Sequence, residues 1–455
     1  MKSVSDMSRV DISQLIDNSR IGRLQVGTFI ICFLCLILDG FDVQALGYVA
    51  PAIIRDWSIP NSALGPVFGA GNFGVLIGAL SFSLLADRIG RRPVLIGVTV
   101  FFSVMTLLTS RADTIGELLV LRFISGIGLG GIMPNATALV GEYSPKRSRV
   151  TLMMNITVGF TAGAAIGGFV AAWMIPAFGW RSVFYFGGAV PLIIAAAMMA
   201  WLPESLQFLV LRGRNRAQVG TWLQRIDPRI TVTSATEFVL QEETLRGAPV
   251  IHLFRNRRGP VTVLFWVVNF MNLLNLYSLS SWLPTVVRDA GHSTSTAVLV
   301  GTILQVGGTI GTFGLAWLIA QAGFVPMLTT SFALACASIA VIGLPGVPLP
   351  LLFVIVFIAG WCVVGGQPGI NAFEATYYPT YLRSTGIGWG LGIGRTGAIV
   401  GPVLGGEFMR RNWSTEDIFM AAALPALMSV FAMFALGFVT KRQSEIQVKA
   451  VGSRQ

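Results

Sequence analysis

The chain has 455 residues, 54% hydrophobic and only 12% charged, with 52 glycines and a formal net charge of +11. That balance excludes an ordinary soluble domain and points to an all-α polytopic membrane protein. At about 20 residues per span, the length accommodates twelve helices, expected over approximately 26–52, 62–85, 93–110, 117–141, 152–174, 181–203, 261–285, 296–319, 325–344, 349–373, 384–407 and 416–440.

Residues 1–25 are polar and mixed in charge, without the apolar core and cleavage site of a removable signal, and read as a tail on the cytoplasmic side. The first span then carries two carboxylates, Asp39 and Asp42, one helical turn apart in an otherwise apolar run. An ionised Asp at a bilayer centre costs about 2.5–3.5 kcal/mol on insertion scales, so a pair there points to function. At i and i+3 the two share a side of the helix, repel one another and resist ionisation, which suits them to picking up a proton on one side of the membrane and releasing it on the other. Cys32, Cys35, Cys336 and Cys362 all fall within spans and read as small apolar residues.

Spans one to six form an N-terminal bundle over 26–203, and the polar stretch 204–259 reads as a cytoplasmic linker. Amphipathic helices are expected in it around Gln218–Arg225 and Thr236–Leu245. Spans seven to twelve form a C-terminal bundle over 260–440, followed by a tail over 441–455. With both termini cytoplasmic, the inner segments carry 24 Lys and Arg and the outer loops 6. The basic excess therefore reports orientation and contact with anionic lipid, not nucleic acid.

The halves repeat. Pro134, Pro145 and Arg149 recur as Pro368, Pro379 and Arg383 at a shift of 234, as do Gly163 and Gly167 as Gly397 and Gly401. At a shift of 233, Asp39 and Asp42 map onto Asn272 and Asn275. Parallel six-helix repeats with a binding site between them are a secondary-transporter architecture that works by rocking one bundle on the other.

Leu85-Ala-Asp87-Arg88-Ile-Gly90-Arg91-Arg92, between spans two and three, resembles the loop signature of the major facilitator superfamily. Arg122 with Gly126, Gly128 and Gly130, and Pro203-Glu204-Ser205, match it too. With Asp39-Gly40-Phe41-Asp42 the chain resembles the aromatic acid:proton symporter family, which implies a twelve-helix facilitator fold and import of a benzoate- or hydroxybenzoate-like acid with protons. Ser83 replaces the first Gly of the loop signature, and in the second half Ala320 and Gln321 replace its charged members. Any charged latch thus falls to Asp87, Arg88, Arg91 and Arg92, with Glu142 and Glu374 at the ends of spans four and ten as further gate candidates.

Arg122 and Arg395 lie inside spans four and eleven and need anionic or carbonyl partners. Arg122 reads either as a static counter-ion of Asp42 or as a group exchanging between an Asp and the substrate. Arg395 is the stronger substrate candidate, because its N-half counterpart is Thr161 and a guanidinium fork takes a carboxylate bidentately. Phe41, Tyr48, Tyr277, Trp361, Trp389, Asn272, Asn275, Gln305, Gln367 and Asn371 are candidates for the rest of the cavity, with about a third expected to touch ligand. His252 and His292 fall in loops, which leaves the carboxylates to carry coupling. No metal cluster, nucleophile triad or nucleotide-binding loop is evident, so neither enzyme activity nor a cofactor is expected. The expectation is a monomeric symporter of a bacterial inner membrane, its rivals being a proton-coupled exporter of the same fold and a non-transporting sensor.

Overall fold

A computed structural model of the chain describes residues 9–212, 216–226, 237–239, 250–255 and 258–452. In hydrocarbon every backbone N–H and C=O must be bonded within its own segment, so the apolar runs become helices. The spans are Arg23–Trp57, Gly65–Ile89 with a preceding 3-10 turn Asn61–Leu64, Arg91–Thr109, Ile115–Gly130 continued by Ile132–Tyr143, Arg149–Phe178 and Arg181–Trp201. In the second half they are Gly259–Asp289, Thr294–Ala322, Phe324–Ile342, Leu349–Val363 continued by Gly366–Tyr377, Thr380–Arg410 and Thr415–Gly452. Among the described residues eleven of these twelve are long and apolar enough by composition alone to cross a membrane. The other, Thr380–Arg410, is diluted by glycines and by Arg383, Arg395 and Arg410.

Spans one and five, and two and four, pack together in the first half, as do seven and eleven, and eight and ten, in the second. Small residues set these crossings. A Cβ on Gly163 would lie 1.9 Å from the Ile37 carbonyl oxygen, and one on Gly397 would lie 2.3 Å from that of Phe270. Both the glycines and their partners are repeat equivalents. Spans four and ten likewise break at equivalent glycines, Gly131 and Gly365. The loop glycines Gly90 and Gly323 keep positive φ, +107° and +86°, so the turn survives in the second half although its charges are gone. Phe431, Phe434 and Phe438 of span twelve and Ile193 and Trp201 of span six project from the surface, where a hydrocarbon solvent accommodates them.

On the side bearing the linker and termini, a helix Ile12–Asn18 buries Ile12 and Ile16 completely. Arg9–Asp11 pairs in parallel with Glu237–Val239 of the linker. The helix expected around Gln218–Arg225 is present as Arg216–Ile226. The expected helix at Thr236–Leu245 is not: its described part is the strand Glu237–Val239, because pairing with the tail satisfies an extended backbone there. The rest of that stretch lies outside the described residues.

The bundles meet on the side away from the linker. Span five packs on span eight and span two on span eleven, with Gly65 and Gly406 close enough that a Cβ on Gly406 would be 3.0 Å from the Gly65 Cα. Asn61 Nδ2 donates to Asp289 (2.5 Å), Asn72 Nδ2 to the Ala398 carbonyl (3.2 Å), Gln44 Nε2 to the Ser280 carbonyl (2.7 Å) and Ser295 to the Ala172 carbonyl (3.3 Å). Among the described residues, no hydrogen bond or ion pair joins the bundles nearer the linker.

Candidate functional site

Asp39 and Asp42 lie on span one and Arg395 on span eleven, each roughly 22–28 Å along its helix from the linker-side end at 1.5 Å per residue. The carboxylates share a side of the helix but have different neighbours. Asp42 is fully buried and faces span four. Its Oδ2 accepts from Arg122 Nη1 (3.1 Å), its carbonyl from Arg122 Nη2 (3.0 Å), and its Oδ1 from Thr106 Oγ1 (2.9 Å). Phe184 lies 5.8 Å from the guanidinium carbon and completes the enclosure. Asp39, also buried, is within electrostatic reach of Arg395 across the bundle interface and of Asp42 on its own helix.

Arg395 is half-buried, and its Nη1 donates to the Tyr277 hydroxyl at 3.1 Å. Among the described residues no carboxylate lies within ion-pair distance of it, Glu374 included. Between the bundles is a small cavity lined by Gln44, Phe68, Asn72, Arg122, Tyr277, Ser280 and Ser281 among others. Gln44, Asn72 and Ser280 were not singled out from the sequence. The available signal was an isolated amide or hydroxyl inside an apolar span, which is weaker than a charge.

Of the other candidates, Asn272 and Gln367 bond to each other (2.8 Å), and Gln367 Nε2 reaches Asn269 (2.9 Å) and Asn371 (3.1 Å). Glu374 joins this ladder through Asn269 Nδ2 (2.7 Å). It is fully buried inside the second bundle. Gln305 donates to Ser280 Oγ (2.9 Å), and Tyr48 to the Ala164 carbonyl (2.9 Å).

Four candidates point elsewhere. Phe41, two positions from Asp39, turns to the opposite side of the helix and packs on Phe186 between Gly167 and Gly187. Trp361 fills the contact with Gly311 and Gly314 of span eight. Trp389 is exposed and stacks on Trp266 at 5.9 Å. Asn275, with its amide oriented to satisfy both groups, donates to the Ala422 carbonyl (2.7 Å) and accepts from Ala426 N (3.1 Å), bracing span twelve beside Pro425.

The gate candidates divide. Arg91 Nε pairs with Glu142 at 2.6 Å, and Glu142 also accepts from Ser205. Glu204 accepts from the backbone N–H groups of Arg91 (2.9 Å), Arg92 (3.1 Å) and Ser205 (2.8 Å), which places a carboxylate at the positive end of span three. Arg92 donates to the Met199 carbonyl (2.6 Å). The side chains of Asp87 and Arg88 are exposed on the linker side. Arg149 pairs with Asp17 of the tail helix. No group of three or more His, Cys, Asp or Glu able to hold a metal occurs among the described residues.

A family model described as Major Facilitator Superfamily matches residues 32–348 and 265–454. The 4-hydroxybenzoate transporter PcaK of Pseudomonas putida is 37% identical over 432 residues, 95% of this chain and 96% of its own. The gallate transporter of the same organism is 37% identical over 434 residues, again 95% and 96%. Among solved structures, a bacterial homolog of the human lysosomal transporter Spinster, inward-facing and unoccupied, superposes with a TM-score of 0.70 at 17% identity, over 93% of this chain and 98% of that one. Fold, repeat and sequence agree: the chain belongs to the major facilitator superfamily.

Proposed function

We propose that this chain is a secondary transporter that imports a small aromatic carboxylate by proton symport, as a monomer in a bacterial inner membrane. The observation that carries the reading is Arg395, which lies inside span eleven with its Nη1 on the Tyr277 hydroxyl and, among the described residues, no carboxylate within ion-pair distance, while the buried Asp39 faces it at longer range across the bundle interface. An anionic substrate takes the guanidinium fork. With the cation neutralised by substrate, Asp39 takes up a proton from the outer side, and releases it to the inner side when the substrate leaves. Asp42, held by Arg122 and Thr106, acts as the fixed member of the pair and keeps span one seated on spans three and four. The names of the relatives, which transport 4-hydroxybenzoate and gallate, support an aromatic acid as the substrate.

The excess of Lys and Arg on the linker side supports cytoplasmic termini. On that orientation the closed side is external, and the arrangement is the inward-open stage of the cycle. Arg91, Glu142 and Glu204 brace the inner end of the first bundle, and Asp87, Arg88 and Arg92 are placed for contact with the second bundle or lipid when the inner side closes. Binding of labelled 4-hydroxybenzoate to the purified chain tests the site. Wild type binds, and Tyr277→Phe and Arg395→Lys bind more weakly while remaining folded. Equal affinity in all three contradicts the assignment.

A further inference from the structure

The second bundle holds a carboxyl that this cycle does not use. Span ten stops at Val363 and resumes at Gly366, and the segment Gly366–Tyr377 carries Gln367, Asn371 and Glu374 on one face. One Glu374 oxygen accepts from Asn269 Nδ2 at 2.7 Å, and the other has no partner. The residue is 0% exposed. Span eleven closes over it so tightly that a Cβ on Gly390 would lie 2.5 Å from Oε1.

What surrounds the group is neutral. Span seven presents the Asn269 amide, span eleven a glycine, and spans eight and nine pack Ile319 and Leu328 on the same segment at Gly369. Tyr378, whose hydroxyl bonds Thr262, and Tyr377 packed against it are the neighbouring titratable groups, with Arg258 acting on Tyr378 in turn. Among the described residues no Lys, Arg or His is within ion-pair distance of Glu374. A bare carboxylate there leaves a buried charge uncompensated, which a protein interior tolerates poorly; the neutral acid does not carry that cost.

A hydrogen-bonded chain of amides runs from Glu374 toward the less buried face of the segment. Asn269 Oδ1 accepts from Gln367, which also reaches Asn371, and Gln367 and Asn371 are only half-buried. The whole group except Asn269 rides on a segment set off by the break at Gly365, equivalent to Gly131 in the first bundle.

We propose that Glu374 is a second proton-carrying site, loaded or emptied when the linker-side segment of span ten moves on span seven and sealed when the two repack. The step is protonation alone: an O–H bond forms at the unpartnered oxygen and the carboxylate charge disappears. The proposal rests on the reading of the chain as a proton-coupled importer, but its first test does not.

Infrared difference spectra across a pH step, in lipid and without substrate, compare wild type, Asp39→Asn and Glu374→Gln. The carbonyl-stretch band of a protonated carboxylic acid should be present in the first two and lose a component in Glu374→Gln, whose amide retains an acceptor for Asn269 and should leave thermal unfolding unchanged. An identical band in all three overturns the proposal. In proteoliposomes, the membrane potential at which 4-hydroxybenzoate flux reverses gives the proton ratio. Glu374→Gln should carry one proton fewer per substrate, and an unchanged ratio overturns the proposal. Absence of flux in wild type would count against the importer reading, while the infrared band still decides the site.

Discussion

Arg122 has two of its nitrogens on Asp42, whereas Arg395 has one on a tyrosine hydroxyl. Truncating one member of a buried pair strands the other, at a cost of about 3–5 kcal/mol. Asp42→Ala should therefore lower the unfolding temperature in detergent markedly, and Asp42→Ala combined with Arg122→Met should recover much of the loss; a double variant as unstable as the single would contradict the pairing account. Asp39→Asn should unfold like wild type, since among the described residues its side chain accepts no hydrogen bond, yet fail to concentrate substrate. Arg395→Lys keeps charge but loses the fork, and a charge-assisted hydrogen bond of about 1.5–3 kcal/mol corresponds to roughly ten- to hundredfold weaker binding. The charged residues of this site were legible in the sequence because a charge in an apolar span is rare. Their partners were not: the same sequence position permits Arg122 to face Asp42 or the cavity, and only packing decides. Asn275 illustrates the converse, an intramembrane amide whose partner is the helix backbone next to a proline.

At the scale of helices, eleven of the twelve spans were readable from hydrophobic runs, the other, Thr380–Arg410, being a weaker apolar run diluted by glycine and arginine, and the parallel repeat was readable from offsets of glycine and proline. The breaks at Gly131 and Gly365 were marked only indirectly, by Pro134 and Pro368 three residues on, each of which removes the bond to the carbonyl four residues earlier, and glycine is common throughout the spans. The close crossings give a direct test. Gly163→Val would drive a side chain into the Ile37 carbonyl and should abolish folded protein, whereas Gly97→Ala, with no atom within 4 Å of the new Cβ, should be neutral within about 0.5 kcal/mol. Gly90→Ala meets both a positive φ and the Glu204 carboxylate at 2.4 Å. It should destabilise by about 1–3 kcal/mol in thermal unfolding, and a neutral result would show that the loop relaxes away from Glu204. The linker strand was missed because its partner is 228 residues away in the chain, in the tail, and local periodicity carries no information about such a pairing.

For the molecule as a whole, the hydrogen bonds between the bundles among the described residues lie on the side away from the linker, from Asn61 and Asp289 at the rim to Gln44 and Ser280 near the cavity. Cysteines at positions 61 and 289 should cross-link readily in the absence of substrate, arrest transport, and release it on reduction; transport that continues through the cross-link would contradict rocking of the bundles. The central claim is that this rocking couples an aromatic carboxylate to protons through Asp39 and Arg395. The most direct test is accumulation of labelled 4-hydroxybenzoate in proteoliposomes with and without an inward proton gradient. The account predicts gradient-driven accumulation in wild type, and in Asp39→Asn exchange of substrate without accumulation. Uptake indifferent to the gradient, or accumulation that survives Asp39→Asn, would contradict it.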